Sequence, residues 1–163
     1  MTAPLQPGLW HDVLGAFATA FAALLGLYFV AFTLRPQAIE ESWILETRAV
    51  TNLYVLVSGL IISLCLLVPQ SNEWQGIEVI AANAVFFLLQ MVRVWPAIRS
   101  PGLANTEDWL QTAFVPVGVG LGIAGGASLM ANAGPGLYLI LPTLLSSLAV
   151  TTRNAWRVIF PRA

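Results

Sequence analysis

The side chains best suited to chemistry are polar and charged residues set a turn or two inside otherwise apolar segments. At helical spacing Arg48 and Asn52 share a face, and so do Asn83 and Gln90. The planar guanidinium of arginine matches the oxygens of carboxylates and phosphates. The pattern predicts a polar vestibule that binds an anion or an acidic lipid, or that lines a pore. Its candidate residues are Glu46, Arg48, Asn52, Gln90, Arg93, Arg153 and Asn154.

The same arginines have a simpler interpretation, which stays open beside the first. Arginines near helix ends extend their charge to lipid headgroups, and membrane topology already explains why they lie on one side. An unpaired charge at membrane depth costs roughly 3 kcal/mol. We therefore expect these arginines to pair with Glu46, Glu107 or Asp108, with amides, or with lipid phosphates.

The sequence contains few of the residue types that usually carry catalysis or bind a cofactor. The seven basic residues are all arginines, and the chain has one histidine, His11, and one cysteine, Cys65. Without lysine there is no Schiff base and no phosphate-loop lysine, and one histidine does not complete a typical haem or zinc site. We expect no enzyme activity, no cofactor, no metal site and no nucleic-acid partner.

The elements that must position these residues are membrane-spanning helices. The chain is 58% hydrophobic and 9% charged, against roughly a quarter charged in soluble domains. Five apolar runs each reach the length of about 20 residues that a helix needs to cross a bilayer. The sequence predicts an all-α, polytopic membrane protein, a single bundle over residues 1–163. Its spans are predicted at about 9–34, 43–68, 77–98, 109–131 and 137–160.

The distribution of basic residues predicts the orientation of this bundle. On five spans all seven arginines fall on one side, and basic residues stay in the cytoplasm during insertion. The N-terminus is therefore predicted outside and the C-terminus inside. The six tryptophans all lie at predicted span ends, where the indole prefers the headgroup region.

Two rows of small residues predict close helix packing. Gly118, Gly122 and Gly126 recur every four residues in the fourth span, and Ala18, Ala22 and Gly26 form a poorer row in the first. Such rows leave a flat groove for another backbone. The rows predict that the first and fourth helices pack together, with an interface to another subunit as the alternative.

Two segments carry a resemblance to a known group of proteins. FAALLGLYFVAFTL at residues 21–34 and ETRAVTNLYVLVSGLIISLCLLVP at residues 46–69 resemble small bacterial inner-membrane proteins of unassigned function. Some of these are automatically labelled modulators of a membrane-bound AAA protease. The resemblance covers about the first three spans and implies a multi-pass protein of the bacterial inner membrane with an accessory role.

Two functional hypotheses follow. The first is a non-enzymatic accessory or scaffold subunit, or a modulator, of a membrane complex. The alternative is a homo-oligomeric channel or a transporter of ions or small solutes, with an arginine-lined cytoplasmic vestibule. The expected partners are acidic lipid headgroups at the cytoplasmic face and other transmembrane helices, in a homo- or hetero-oligomer.

Overall fold

A computed structural model describes residues 6–34, 43–98 and 106–159, with side chains for 6–33, 46–47, 49–93 and 116–155. A short 3-10 turn, Pro7–Trp10, leads into the first helix. Within these residues the chain is helical and contains no strand, which confirms the all-α prediction. The five helices are α1 (His11–Leu34), α2 (Trp43–Leu67), α3 (Asn72–Ile98), α4 (Thr106–Met130) and α5 (Leu137–Ile159).

Neighbouring helices run in opposite directions. Tyr28, near the end of α1, donates a hydrogen bond to the carbonyl of Ala49, near the start of α2. Glu46 at the start of α2 pairs with Arg93 near the end of α3. We call this side of the bundle, where α1, α3 and α5 end and α2 and α4 begin, the arginine end.

The order of packing differs from the sequence-based expectation. Each helix packs on the next one along the chain, and α5 returns to α2 and makes a smaller contact with α1. The predicted pairing of the first and fourth helices is wrong for the described residues, because α4 packs mainly on α3 and α5. The four-residue spacing of small residues indicates that a helix face is flat. It does not indicate which helix packs against that face.

Glycine allows the closest approach of α3 and α4. A β-carbon placed on Gly76 would stand 2.5 Å from the Gly126 carbonyl oxygen and 2.9 Å from the Met130 nitrogen. One placed on Gly126 would stand 2.9 Å from the Gly76 carbonyl oxygen. Two helix backbones therefore touch at this point, which only residues without a side chain permit.

The exterior of the bundle is strongly apolar. Leu27, Leu88 and Val92 are 66%, 63% and 76% exposed. Among the described residues, three segments are long and apolar enough to cross a bilayer, Pro7–Thr33, Ala49–Leu67 and Asn72–Arg93, and Pro116–Met130 forms a shorter apolar helix. Large exposed apolar areas are rare on soluble monomers. These features indicate a membrane protein.

Helix boundaries extend beyond the predicted spans where polar residues join the first turn. The third helix begins at Asn72 rather than near 77, and the fourth begins at Thr106 rather than near 109. Hydropathy marks the apolar part of a helix, whereas hydrogen bonding continues through residues such as Gln75, whose backbone N–H donates to the Ser71 carbonyl. The earlier start of α3 brings Gly76 into the helix.

Candidate functional site

Helix α5 carries a row of hydroxyl side chains on its inward-facing side, beside the buried core residues Ile140 and Leu144. Thr143 and Thr151 are buried and Ser147 is half-buried, whereas Tyr138 and Leu145 are exposed. The Ser147 hydroxyl donates to the Thr143 carbonyl at 2.7 Å, and the Thr151 hydroxyl donates to the Ser147 carbonyl at 2.7 Å. Because their protons are held by the helix's own backbone, these hydroxyls offer mainly acceptor lone pairs to the interior.

Helix α3 contributes two buried amides on the same face. Asn83 and Gln90 lie seven residues apart, about 10 Å along the axis, and both are buried. Asn83 fits because Gly122 has no side chain: a β-carbon there would stand 2.7 Å from the Asn83 Oδ1. The Asn83 side-chain nitrogen donates to the Val79 carbonyl at 2.8 Å.

Gln90 is the unusual member of this pair. Its side chain is 4% exposed, and its Oε1 has no hydrogen-bond partner among the described residues. A buried polar atom without a partner costs about 1–3 kcal/mol. Gln90 is thus the described polar group on this face that most needs a binding partner.

These polar side chains form part of the wall of a partly open cavity between α2, α3, α4 and α5. Its volume is about 70 Å³, space for roughly five water molecules. Its walls include the apolar side chains of Val55, Phe86 and Leu144, and none of the described residues that line it carries a charge. Its polar lining residues are Ser58, Asn83, Gln90, Thr143, Ser146 and Ser147.

A separate hydrogen-bonded network joins α1, α2 and α5 closer to the arginine end. The buried Asn52 donates through Nδ2 to the Tyr28 hydroxyl at 3.3 Å and accepts from the Asn154 Nδ2 at 2.8 Å. The Tyr28 hydroxyl in turn donates to the Ala49 carbonyl at 3.1 Å. Here the polar groups bind one another, which is typical of residues that hold helices together in a bilayer.

The predicted arginine site is only partly described. Arg93 binds Glu46 at 3.1 Å, and each side chain is 44% exposed, so this predicted type of pairing is present between α3 and α2. Arg153 is exposed on α5. The side chains of Arg48, Glu107 and Asp108 lie outside the described residues. The described arginines do not line the cavity, which is deeper in the bundle.

Five of the described candidate residues fall into three separate places in the bundle. Gln90 lines the cavity, Asn52 and Asn154 belong to the network, and Glu46 and Arg93 form the ion pair. Sequence reasoning did not select Tyr28, Ser58, Thr143 or Ser146 as site residues. For Thr143 a signal existed, because it lies four residues before Ser147 in the same row of hydroxyls.

The two rows of small residues have different environments. Gly122 and Gly126 are buried against α3, and Gly118 accepts a hydrogen bond at its carbonyl from Thr143 at 3.1 Å. In α1 only Ala18 of its row is buried; Ala22 and Gly26 are exposed. A β-carbon on Gly26 would meet no atom within 4 Å.

The arrangement can form neutral hydrogen bonds inside an apolar bundle. Within the described residues, no cluster of three histidine, cysteine, aspartate or glutamate side chains could hold a metal ion. At the end opposite the arginines, the Gln70 amide donates to the Glu78 carboxylate at 2.5 Å.

No protein-family model, curated protein or solved structure matches the chain.

Proposed function

We propose that this protein is a non-enzymatic accessory or scaffold subunit, or a modulator, of a membrane complex in the bacterial inner membrane. In this proposal all five helices span the bilayer, with the N-terminus outside and the C-terminus in the cytoplasm. Three apolar helices of sufficient length and the apolar exterior support it. The arginine end would face the cytoplasm and its acidic lipid headgroups.

The observation that carries the accessory role is the outward face of α1. Thr19, Ala22, Ala23 and Gly26 are exposed along one side of the helix. Small residues on a helix surface allow the backbone of another helix to approach closely, whereas lipid chains gain little from them. Of the two rows, the one in α4 is already covered by α3 and α5, which leaves the row in α1 open to a helix of a different membrane protein.

Replacing Gly26 by leucine is expected to release this partner without unfolding the protein. No atom of the chain lies within 4 Å of the β-carbon position of residue 26. A partner helix packed there, however, would be pushed away by the leucine side chain. The measurement is native mass spectrometry after gentle extraction from the native membrane. We expect a stoichiometric foreign subunit with the wild type and at least tenfold less of it with Gly26→Leu.

Gly120→Leu is the matched control. Gly120 is an exposed glycine of α4 with no atom within 4 Å of its β-position, so this variant adds the same side chain to a different outward face. It should retain the foreign subunit. Equal retention by both variants, or a wild-type protein that carries only copies of itself, would contradict the accessory role.

A second candidate function is a homo-oligomeric channel or small-solute transporter. The observation that favours it is the polar cavity at mid-helix, with Gln90 and Asn83 in its wall. Membrane proteins rarely bury polar groups at such depth without a use for them. Transport would need a continuous path, which in a bundle this narrow would involve several subunits.

Purified protein in liposomes distinguishes this candidate from the first. If the cavity belongs to a path, glycerol permeability measured by stopped-flow light scattering should exceed that of empty liposomes several-fold, and Gln90→Leu should reduce it to the background. Leu88→Ala, an exposed change on the outer face of the same helix, should leave it unchanged. Wild-type liposomes with background permeability to glycerol, water and monovalent ions would exclude a transport role.

A further inference from the structure

The cavity between α2, α3, α4 and α5 has the features of a binding site within a single subunit. Residues of four helices line it, and its wall combines apolar side chains with amides and hydroxyls. The cavity is partly open and mainly apolar, and the polar groups in its wall can hold water or a small ligand by hydrogen bonds. This inference concerns the interior of the bundle and does not depend on either function proposed above.

The Gln90 amide indicates that the occupant donates a hydrogen bond. Its Oε1 is buried and has no partner among the described residues, although the side chain borders the cavity. An oxygen can only accept, so a molecule that satisfies it must bring an N–H or O–H group. Satisfying it would recover the roughly 1–3 kcal/mol that an unpaired buried group costs.

The hydroxyls around the cavity strengthen this preference for a donor. Ser146 and Ser147 both donate to the Thr143 carbonyl, at 3.0 and 2.7 Å. The single hydroxyl proton of Thr143 is shared between the carbonyls of Gly118 and Leu139, at 3.1 and 3.3 Å. With their protons engaged, all three oxygens face other molecules as acceptors. Together with the Gln90 Oε1, the wall therefore presents four oxygen acceptors to an occupant.

The lack of charge in the wall indicates a neutral occupant. None of the described lining residues is ionisable with a charge at neutral pH, and a charge transferred into such surroundings would lose its hydration without a counter-ion. We propose that the cavity binds a small uncharged hydrogen-bond donor of the hydroxyl or amide class, with Gln90 as its recognition residue. The volume of about 70 Å³ limits it to a few heavy atoms.

Cysteine labelling in proteoliposomes tests this site directly. In a Cys65→Ala background, Ser147→Cys places a thiol in the cavity wall, and Ser146→Cys provides a second position if the first variant fails to fold. Ser63→Cys is the matched control, because Ser63 is 0% exposed on α2 and is not part of the lining. A thiol reacts through its thiolate, which forms only where polar molecules reach it.

The neutral reagent methyl methanethiosulfonate should label the cavity thiol at least tenfold faster than the Ser63→Cys thiol. Its cationic trimethylammonium-ethyl and anionic sulfonatoethyl analogues, each normalised to its rate with free cysteine, should react at least tenfold more slowly than the neutral reagent. Equal labelling of cavity and control positions would show a dry interior and overturn the proposal. Equal rates for charged and neutral reagents would overturn the assignment of a neutral ligand.

Protection from labelling tests the role of Gln90. Glycerol, urea or acetamide at molar concentration should slow labelling of the cavity thiol at least twofold, and Gln90→Leu should abolish that protection. This variant should fold, because it replaces an unpaired buried amide by an apolar side chain of similar size. Absence of protection by all three solutes, or protection that persists in Gln90→Leu, would overturn the proposed recognition.

Discussion

Gly76→Ala is expected to lower the free energy of unfolding by about 3 kcal/mol, the upper part of the usual range for overpacking a core. The added β-carbon would stand 2.5 Å from the Gly126 carbonyl oxygen and 2.9 Å from the Met130 backbone nitrogen. Backbone atoms cannot rotate away as a flexible side chain can, so α3 and α4 must separate. The measurement is reversible unfolding in mixed micelles of a mild detergent and dodecyl sulfate.

A matched glycine shows whether this loss comes from the helix contact. Gly120→Ala makes the same change in α4 at an exposed position with no atom within 4 Å. It should leave stability unchanged or raise it by up to about 1 kcal/mol, because alanine is the better helix former. If the two variants unfold alike, the backbones of α3 and α4 do not meet at Gly76.

Separation of these two helices should also change the cavity. Asn83 lies against Gly122, one turn from the Gly126 contact, and both Asn83 and Gly118 border the cavity. In the Gly76→Ala variant, a wider gap between α3 and α4 would move Asn83 away from its position in the wall. Packing by glycine and the geometry of the candidate site are therefore coupled in this bundle.

The helix contact was only half predictable from the sequence. The four-residue repeat of Gly118, Gly122 and Gly126 predicts a flat face, and Gly122 and Gly126 do contact α3. Its partner Gly76 lies among Asn72, Glu73 and Gln75, a polar stretch just outside the predicted span of 77–98. Hydropathy measures the affinity of side chains for lipid. A helix turn at the membrane surface can be polar, so hydropathy does not mark where such a helix begins.

The positions of the polar residues could also be predicted only in part from the sequence. Helical spacing correctly predicts that Asn83 and Gln90 share a face, because spacing fixes angles around one axis. It does not fix how two helices rotate relative to each other, so the hydrogen bond between Asn52 and Asn154 could not be assigned from the sequence. Tyr28, which completes that network, stands in a long apolar run, where an aromatic residue is unremarkable.

Gly59→Ala is expected to be a second strongly destabilising glycine variant, with a loss of about 2–3 kcal/mol. The ring of Phe21 lies directly on Gly59: three of its atoms are within 2.7 Å of where a β-carbon would stand. Phe21 is 0% exposed, so the ring has no open space to move into. The contact holds α1 against α2, beside the cavity that Gly59 helps to line.

Shortening the ring should rescue this variant. Phe21→Leu alone removes buried apolar atoms and should cost about 1–2 kcal/mol, but in Gly59→Ala it makes room for the new methyl group. The double variant should therefore be more stable than the sum of the two single losses predicts, by at least about 1 kcal/mol in a double-mutant cycle. The control is the cycle of Gly26→Ala with Phe21→Leu. Because Gly26 faces open space, the effects of these two substitutions should add.

Additive losses in the Gly59 cycle as well would mean that Phe21 does not pack on Gly59. The position of α1 would then depend on other contacts, such as the hydrogen bond from Tyr28 to the Ala49 carbonyl.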